Sequence, residues 1–519
     1  MAHITELGDT FNFAEHLFTR NASNTQKVAY IDDHDSLTYG ELEQRARKVA
    51  ASLRAQGIAP EQRVMLFMHD SNDWPVSFLG CLYAGIVPVA VNTLLPASDV
   101  AYMLGHCRAQ AILTSGALLG VVQDALAATP GNEVQRVWVT HLGKDASTLV
   151  HDFEGLVSAS HPQAEVYPTH PDGPAFWLYS SGSTGRPKGT VHSHGNLFHT
   201  AELYGQGVLK IRESDVCFSA AKLFFAYGLG NALSFPLSVG ATVVLLGGRP
   251  TPEAVFEKWR KHQVSVFFGA PTGYAGMLAD PNLPSKGDVS LRMCSSAGEA
   301  LPRDIGERFT THFGCEIVDG IGSTEMLHIF LSNVPGDVRY GTTGFPVPGY
   351  DISLRDDEGR EAADGEIGDL YIRGPSAALM YWNNRQKSQD TFQGAWTKSG
   401  DKYARNADGT YTYAGRSDDM LKISGMYVSP FEVEGTLIQH PAVLEAAVIG
   451  VDDANGLTRT KAYVVLKAGN SVTEDELKAF VKERLAPYKY PRLIEFIAEL
   501  PKTATGKIQR FRLRAAQHQ

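Results

Sequence analysis

The chain has 519 residues, 43% of them hydrophobic and 20% charged, which is typical of a globular protein with room for several structural units. Its 57 acidic and 47 basic residues give a formal net charge of −10 without a basic block, which argues against nucleic acid as a partner. The longest apolar run, residues 78–91, contains Gly80, Gly85 and Pro88 and is too short to span a bilayer, so no membrane partner is expected.

The N-terminus and the cysteines both predict a cytoplasmic protein. Residues 1–13 lack the basic start and the apolar stretch of a signal peptide. The five cysteines are scattered and have no CxxC spacing, which fits reduced thiols. No cluster of cysteine and histidine suggests a metal centre.

Short apolar runs alternate with helical patterns from residue 62 to about residue 414. This alternation predicts an α/β fold with mostly parallel sheets that carry helices on both faces. The predicted strands cover residues 64–68, 87–91, 111–114, 137–140, 175–179, 242–246, 264–268 and 316–318.

The pattern changes twice towards the C-terminus. Residues 350–413 are rich in hairpin patterns with glycine turns, which predicts a β-rich subdomain. The last hundred residues predict a small α+β unit, with strands near 446–451 and 461–466 and a helix near 474–485. The polar run 415–422 between these parts reads either as a surface turn or as a linker.

The segment YSSGSTGRPKG, residues 179–189, follows the predicted strand 175–179 and precedes a helical pattern that starts at about Asn196. Its three glycines let backbone N–H groups turn towards an anion, its hydroxyls add donors, and Arg186 and Lys188 add positive charge. It is not a Walker loop, because GxxxxGK[ST] does not occur in the chain. The composition predicts a polyphosphate-binding loop, with a flexible connector as the alternative.

As an ordered string, this segment resembles the signature loop of the acyl-adenylate-forming (AMP-binding) enzymes, which include acyl-CoA synthetases, peptide-synthetase adenylation domains and firefly luciferase. Five further motifs of that superfamily follow in the chain: 295–302 (SSAGEALP), 319–325 (DGIGSTE), 398–401 (KSGD, alone typical of a turn), 415–422 and 501–508 (PKTATGKI). The resemblance implies an N-terminal domain, residues 1–416, that binds the acid and ATP. It also implies a small mobile C-terminal α+β domain, residues 417–519, that carries the catalytic lysine.

The motif 319–325 is predicted to form a loop directly after the strand 316–318, at the end of a parallel strand where α/β proteins place ligands. The resemblance places the nucleotide on this and the other motifs. Thr324 would donate to the α-phosphate, and Glu325 would hold Mg²⁺, a cation that prefers carboxylate and phosphate oxygens. Asp401 would accept from the ribose hydroxyls. The residues expected to bind ATP and AMP are Ser180, Ser181, Gly182, Ser183, Thr184, Gly185, Lys188, Ala297, Gly298, Glu299, Asp319, Gly320, Ile321, Gly322, Thr324, Asp401 and Arg416.

The implied catalytic residues are Lys507, Thr324 and Glu325. The Lys507 ammonium would neutralise charge that develops on the carboxylate and the α-phosphate. Asp418 matches the hinge about which the C-terminal domain rotates between half-reactions. Ser424 and Gly425 would line the path of the pantetheine arm of CoA, the second substrate.

The acid pocket of the superfamily is formed by the segment 222–228 and the residues after Glu325. Amino-acid-activating members have an aspartate in the first segment to pair the substrate ammonium, where this chain has Phe225, so amino acids are disfavoured. Many aryl-CoA ligases have a histidine there, which leaves the gating role of the position open. The residues expected to bind the acid are Phe225, Ala226, Tyr227, Gly228, Ile321, Leu327, His328, Ile329 and Lys422.

Aromatic residues in this set favour a planar ring over a long acyl chain. The pattern is most similar to the bacterial benzoate–coenzyme A ligases, which implies ATP, Mg²⁺ and CoA as cofactors and benzoate as the acid. Alternatives are 4-hydroxybenzoate or another aryl or acyl acid, a stand-alone adenylation domain that loads a carrier protein, a noncatalytic descendant, and a purely structural role for the aromatic residues. A homodimer is compatible with the resemblance.

Overall fold

The computed structural model describes residues 4–143, 148–158, 165–180, 186–417, 419–423, 426–452, 458–486, 489–502 and 508–515. Two large mixed sheets are followed by an antiparallel sheet and a small C-terminal three-stranded sheet. The predicted α/β fold class, with its β-rich part and its α+β C-terminal part, is therefore confirmed. Within the described ranges, no helix is both long and apolar enough to cross a membrane.

The first sheet has eight strands, six of which run parallel. Its inner strands are buried along their length, as a sheet covered on both faces requires. In spatial order the strands are Met380–Tyr381, Lys188–Ser193, Pro174–Ser180, Val87–Ala90, Arg63–Phe67, Ala111–Ser115, Arg136–Thr140 and Val150–Asp152. The helices between these strands in the chain are Asp73–Tyr83, Ala97–Cys107, Leu119–Ala127 and Phe153–Ser158.

The second sheet has nine strands, and its six central strands are parallel. In spatial order they are Phe345–Pro346, Ile329–Ser332, Ile317–Gly322, Met293–Ser296, Val266–Gly269, Val216–Ser219, Thr242–Val244, Val28–Ile31 and Ser36–Thr38. Three helices share a hydrophobic core with this sheet: Pro252–His262, Pro271–Ala279 and Arg303–Phe313.

A single core joins the two sheets. It combines buried residues of strands from both sheets with those of the helices Phe13–Arg20, Tyr39–Ala55 and Asp73–Tyr83. The remaining short helices of this part are His194–Thr200, Ala226–Leu229 and Phe235–Val239, the π-helical segments Ala201–Gln206 and Gly230–Ser234, and the 3₁₀ turns Gly116–Leu118, Lys286–Asp288 and Thr324–Met326.

The β-rich part is an antiparallel five-stranded sheet with the helix Arg385–Thr391. Its strands are Asp351–Arg355, Ile367–Arg373, Phe392–Gln393, Trp396–Arg405 and Tyr411–Arg416. The last strand still pairs with this sheet at Arg416. The predicted division into domains after this residue stays a prediction.

The C-terminal part has its own hydrophobic cores. A hairpin opens it (Leu421–Ile423 and Met426–Val428), and the sheet consists of Val443–Asp452, Thr458–Leu466 and Leu493–Phe496. Its helices are Pro430–Ile438, Glu474–Lys482 and Arg510–Ala515. The two strands and the helix expected from the sequence are present, and the described residues add the hairpin, a third strand in the sheet and two further helices.

Candidate active site

The predicted phosphate loop closes a β-hairpin. The strand Pro174–Ser180 ends at the loop, the strand Lys188–Ser193 leaves it in the opposite direction, and Ser180 pairs with Lys188. The sequence reading passed from the loop directly to a helix and missed this second strand, because the helix His194–Thr200 follows it at once. Five predicted nucleotide-binding residues lie outside the described residues: Ser181, Gly182, Ser183, Thr184 and Gly185.

Glu325 lies at the centre of a charge cluster beside this hairpin. Its Oε1 accepts a hydrogen bond from the Tyr381 hydroxyl at 2.6 Å and one from Ser180 Oγ at 3.5 Å. The Lys188 ammonium is 3.7 Å from the same oxygen and also donates to the Tyr381 hydroxyl at 3.2 Å. Burial alone would raise the pKa of Glu325, but Lys188 and Tyr381 outweigh it and hold the pKa below its usual value. The carboxylate is therefore ionised at neutral pH.

Residues 376–381 hold the turn that carries Glu325. The Ala378 N–H donates to the Glu325 carbonyl at 2.8 Å, and Ser376 Oγ donates to the Met326 carbonyl at 2.7 Å. Sequence reasoning missed these residues and Tyr381, because they belong to none of the motifs and reach the site only through the pairing of Met380–Tyr381 with Lys188–Ser193.

The segment before Thr324 is a strand, which corrects the prediction of a loop from Asp319 onwards. The strand Ile317–Gly322 pairs in parallel with Met293–Ser296 over its first half and antiparallel with Ile329–Ser332 over its second. Its glycines suggested a loop, although glycine also occurs where strands approach closely. Residues 321–325 are partly accessible to solvent, whereas the residues before and after them in the chain are buried.

Asp319 is a buried carboxyl in this strand, 6% exposed and paired in register with Ser296. Burial raises the pKa of Asp319 to about 8, against the opposing effects of the Ser296 hydroxyl and the Leu301 N–H. The side chain is therefore largely protonated at neutral pH and can donate a hydrogen bond.

The predicted adenine-stacking turn follows the strand Met293–Ser296. Ala297 is buried, whereas Gly298 is exposed, with φ +95° and no heavy atom within 4 Å of the place where a Cβ would stand. Glu299 accepts a hydrogen bond from the Thr272 hydroxyl at 2.9 Å. The turn thus presents open backbone, which suits a flat base.

Asp401 and Arg416 are two further residues that the sequence predicts to bind the nucleotide. Residues 398–401 belong to the long strand Trp396–Arg405, so they do not form the turn that this peptide would suggest by itself. Asp401 faces Arg416 in the next strand, and Arg416 Nη1 lies 3.1 Å from Asp401 Oδ1. The charge of Arg416 also lowers the pKa of Glu325, so this pair lies close to the Glu325 cluster.

The predicted acid pocket has a partly accessible aromatic wall. Phe225, Ala226 and Tyr227 retain partial accessibility, as does Ile321. The Tyr227 hydroxyl donates to Ser295 Oγ at 3.1 Å, which fixes the ring. Gly228 is buried, and a Cβ there would lie 2.0 Å from the Lys222 carbonyl oxygen, so a side chain would displace the whole segment.

Leu327, His328 and Ile329 lie behind this wall with 1–3% exposure. His328 is enclosed by Tyr204, Tyr227 and Phe235, and burial lowers its pKa to about 3, so it is neutral. Leu327 has φ +65°, and the His328 N–H donates to the Met326 carbonyl across it at 2.8 Å, which defines a γ-turn. Such a turn is strained for leucine, and strain of this kind concentrates at functional sites.

Asp70 and Lys222 hold the start of the segment 222–228 through hydrogen bonds with the backbone. The Asp70 carboxylate accepts a hydrogen bond from the Leu223 N–H at 3.2 Å, and Lys222 Nζ donates to the carbonyls of Leu246 and Gly248. Burial raises the pKa of Asp70 to about 6, although Lys222 opposes this change. Asp70 and Lys222 thus anchor the start of the acid-binding segment, and no sequence motif indicated Asp70.

Asp70→Asn is expected to change the pH dependence of stability. The folded-state pKa of about 6 exceeds the ordinary value of 3.8, so the parent loses stability as pH rises between these values, whereas the variant does not. Between pH 4 and pH 7.5 the parent should lose about 3 kcal/mol of unfolding free energy relative to the variant. Urea unfolding at a series of pH values measures this change. Asp215→Asn is a control with the opposite pH dependence. Arg292 lowers the pKa of Asp215, so the stability that this carboxylate contributes to the parent is lost as pH falls. Parallel pH profiles for the parent and Asp70→Asn would contradict this account.

Other predicted residues lie outside the described residues: Asp418, Ser424, Gly425, Lys507 and the side chain of Lys422. Next to them, Asp419 pairs with Arg514 at 2.7 Å and with Arg510 at 3.6 Å. The rings of Tyr413 and Phe431 meet at 5.4 Å. The ring contact joins the antiparallel sheet to the C-terminal part, whereas the pairs of Asp419 lie within the C-terminal part.

The site can hold a nucleotide through the Ser180 hydroxyl, the Lys188 ammonium, the Glu325 carboxylate and the Asp401–Arg416 pair.

Comparison with known proteins agrees with a nucleotide site of this kind. Residues 17–382 match the AMP-binding enzyme family, and residues 432–507 match its C-terminal domain.

Three relatives are similar over nearly the whole chain. A benzoate–CoA ligase of Thauera aromatica is 54% identical over 98% of this chain and 97% of its own length. A 4-hydroxybenzoate–CoA/benzoate–CoA ligase of Rhodopseudomonas palustris is 44% identical, over 97% and 94%. The crystal structure of a benzoate CoA ligase from Burkholderia xenovorans LB400 is 59% identical, with a TM-score of 0.91 over 97% of this chain and 100% of that chain.

Proposed function

This chain belongs to the AMP-binding enzyme family, and we propose that it joins benzoate, or a close aromatic acid, to coenzyme A with ATP as the energy source. A carboxylate oxygen attacks the α-phosphorus, the bond to the β-phosphate oxygen breaks, and aryl-AMP and pyrophosphate form. The CoA sulfur then attacks the acyl carbon, the thiol proton goes to solvent, and AMP leaves. The observation that carries this proposal is the convergence of Ser180, Lys188, Glu325 and Arg416.

These residues and their neighbours in the site have separate roles in the first step. Lys188 and the Ser180 hydroxyl bind phosphate oxygens, and Asp401 binds the ribose, which Arg416 helps to orient. Thr324 donates to the α-phosphate. Asp319, with its pKa raised to about 8, acts as a hydrogen-bond donor towards the base rather than as a carboxylate.

Glu325 is the residue that would hold Mg²⁺. Among the described residues there is no group of three or more histidine, cysteine, aspartate or glutamate side chains suited to a metal. A single ionised carboxylate beside a phosphate site fits Mg²⁺, which binds through one or two carboxylates together with substrate phosphates. When bound, the ion neutralises charge on the phosphates.

The aromatic wall supports a planar acid. Phe225 presents ring surface where amino-acid-activating enzymes of this superfamily carry a charge partner for the substrate, and Tyr227 adds a second ring. A ring can stack against such surface or make edge contacts, worth about 0.5–1.5 kcal/mol per pair beyond area burial. The similarity of the chain to benzoate–CoA ligases also supports the proposal that benzoate is the acid substrate.

4-Hydroxybenzoate is the second candidate, because Tyr227 brings a hydroxyl to the aromatic wall. This hydroxyl donates to the buried Ser295 Oγ at 3.1 Å and can still accept a hydrogen bond from a ring hydroxyl. An apolar site rejects an added hydroxyl only weakly, whereas a hydrogen-bonding site strongly rejects the acid that lacks it. Rates with benzoate, 4-hydroxybenzoate, aminobenzoates and fluorobenzoates, each with CoA and with a carrier protein, test the proposal. A kcat/KM for benzoate far below that for 4-hydroxybenzoate would favour the second candidate.

Tyr227→Ala is expected to raise the KM for benzoate by about tenfold or more and to improve relative rates on ring-substituted acids, because the wall loses a ring. Tyr227→Phe keeps the ring and loses only the bond to Ser295, so its KM should stay within about fivefold of the parent. Steady-state kinetics over the panel of acids measure both variants. Unchanged relative rates in Tyr227→Ala would show that Tyr227 does not line the pocket.

Two further expectations stay predictions. All five cysteines are buried free thiols, which supports a reducing compartment such as the cytoplasm. The homodimer that the resemblance allows can be tested by light scattering.

A further inference from the structure

His192 lies in the strand Lys188–Ser193, at the end away from the phosphate loop, and is 0% exposed. Its ring stacks on Phe176 in the paired strand, with centroids 5.1 Å apart and an interplanar angle of 16°. None of the motifs of the sequence includes this histidine. Its hydrogen bonds nevertheless lead directly to the turn that carries Glu325.

Both ring nitrogens of His192 have fixed partners. Nε2 lies 2.8 Å from the carbonyl oxygen of Thr324, and since a carbonyl only accepts, Nε2 must carry the proton. Nδ1 then accepts from Asn196 Nδ2 at 2.9 Å. Asn196 is oriented in turn, because its Nδ2 also donates to the Ala377 carbonyl and its Oδ1 accepts from Ser193 Oγ. The arrangement selects one neutral tautomer.

We propose that His192 is a positioning residue for the Mg·ATP step, and that its Nε2–H ties the phosphate hairpin to the Thr324–Glu325 turn so that Glu325 faces Ser180 and Lys188. The inference rests on the proposed function. The hairpin and the turn are more than a hundred residues apart in sequence. The His192 bond joins them on the buried side, and the bonds of Glu325 join them on the accessible side.

The chemistry of the site favours a neutral donor at this position. Burial lowers the pKa of His192 to about 4, even though the Thr324 carbonyl and Glu325 oppose this change. The ring therefore stays uncharged and does not compete with a metal or with Lys188 for the Glu325 carboxylate. Partners of this indirect kind typically change metal affinity or activity by about 10–100-fold when removed.

His194 offers a matched control two residues along the chain. It is also buried, at 1% exposure, and burial lowers its pKa to about 3. Its Nδ1 accepts from the Phe13 N–H at 3.2 Å, on the first helix of the chain. If both histidines were purely structural, substitution of either one would lower stability and leave the affinity for Mg·ATP unchanged.

The decisive pair of variants is His192→Gln and His192→Asn. The glutamine Nε2 reaches about as far as the imidazole Nε2 and can still donate to Thr324, whereas the asparagine amide ends at the place of Nδ1. Isothermal titration calorimetry with Mg·ATP, without any acid, measures the effect. We expect His192→Asn to bind Mg·ATP about 10–100-fold more weakly than the parent. His192→Gln should retain most of the affinity, and His194→Asn should match the parent while losing Tm.

Equal weakening of both His192 variants, or parent-like affinity in a destabilised His192→Asn, would overturn the inference. Should His192→Asn not fold, His192→Gln decides by itself, because a folded glutamine variant that has lost affinity about tenfold or more would overturn the inference. The binding readout needs no benzoate. A parent that binds Mg·ATP but gives no benzoate-dependent pyrophosphate exchange would therefore refute the proposed substrate and leave the His192 result to stand by itself.

Discussion

Lys507→Ala is expected to slow formation of the aryl-adenylate by about 10²–10³-fold, roughly 2.7–4 kcal/mol, the usual cost of removing one well-placed electrostatic donor. The family resemblance assigns its ammonium to the carboxylate and the α-phosphate while charge develops between them. The charges described at the site strengthen this expectation, since Lys188 is already paired with Glu325 at 3.7 Å. Benzoate-dependent exchange of pyrophosphate into ATP measures the effect.

The same variant should form the thioester from supplied benzoyl-AMP within about tenfold of the parent rate, because the lysine is proposed to act only in the first half-reaction. Gly425→Leu is the complementary variant. It should obstruct the pantetheine arm and slow thioester formation while pyrophosphate exchange continues. Equal damage to both half-reactions in both variants would refute the alternation of the C-terminal domain.

Glu325→Gln should lower the rate of adenylation by a comparable factor, about 10²–10³-fold. The substitution keeps the shape of the side chain and its bond to the Tyr381 hydroxyl but removes the charge proposed to hold Mg²⁺. It also leaves Lys188 without its ion pair beside the phosphates. The predicted signature is a higher Mg²⁺ concentration for half-maximal exchange, with the KM for benzoate little changed.

Tyr381→Phe is the matched control for this variant. It removes the hydroxyl that donates to Glu325 at 2.6 Å and leaves the carboxylate charged, so it should cost about tenfold. An unaltered Mg²⁺ dependence in Glu325→Gln would show that this carboxylate does not hold the metal. A larger loss in Tyr381→Phe than in Glu325→Gln would give the hydroxyl a direct role with the nucleotide.

Much of the fold could be predicted from the pattern of the sequence. Fully buried strands such as Ala111–Ser115 stand out as short apolar runs, and their alternation with helices leaves few arrangements. Two segments were misread, Lys188–Ser193 and Asp319–Gly322. Both are strands whose polar or glycine residues suggest a loop when seen alone. Pairing with a distant strand decides their conformation, and such pairing leaves no local signal.

The candidate site divides in the same way. Ser180, Lys188, Glu325 and Asp401 were found through ordered motifs. Tyr381, His192 and Asp70 were not, because each acts through one contact with a segment far away in the chain. Their residue types are common, and a buried histidine or aspartate is more often a part of the core. Only the hydrogen-bond partners in the structure distinguish them.

Activation of an aromatic acid as its adenylate is the step on which every role proposed for these residues depends. The most direct measurement is ATP–pyrophosphate exchange with benzoate in the absence of CoA, followed by identification of the nucleotide released when CoA is added. We expect exchange that depends on benzoate and Mg²⁺, and then release of one AMP for each benzoyl-CoA formed. Release of ADP and phosphate, or exchange that does not depend on any aromatic acid, would contradict it.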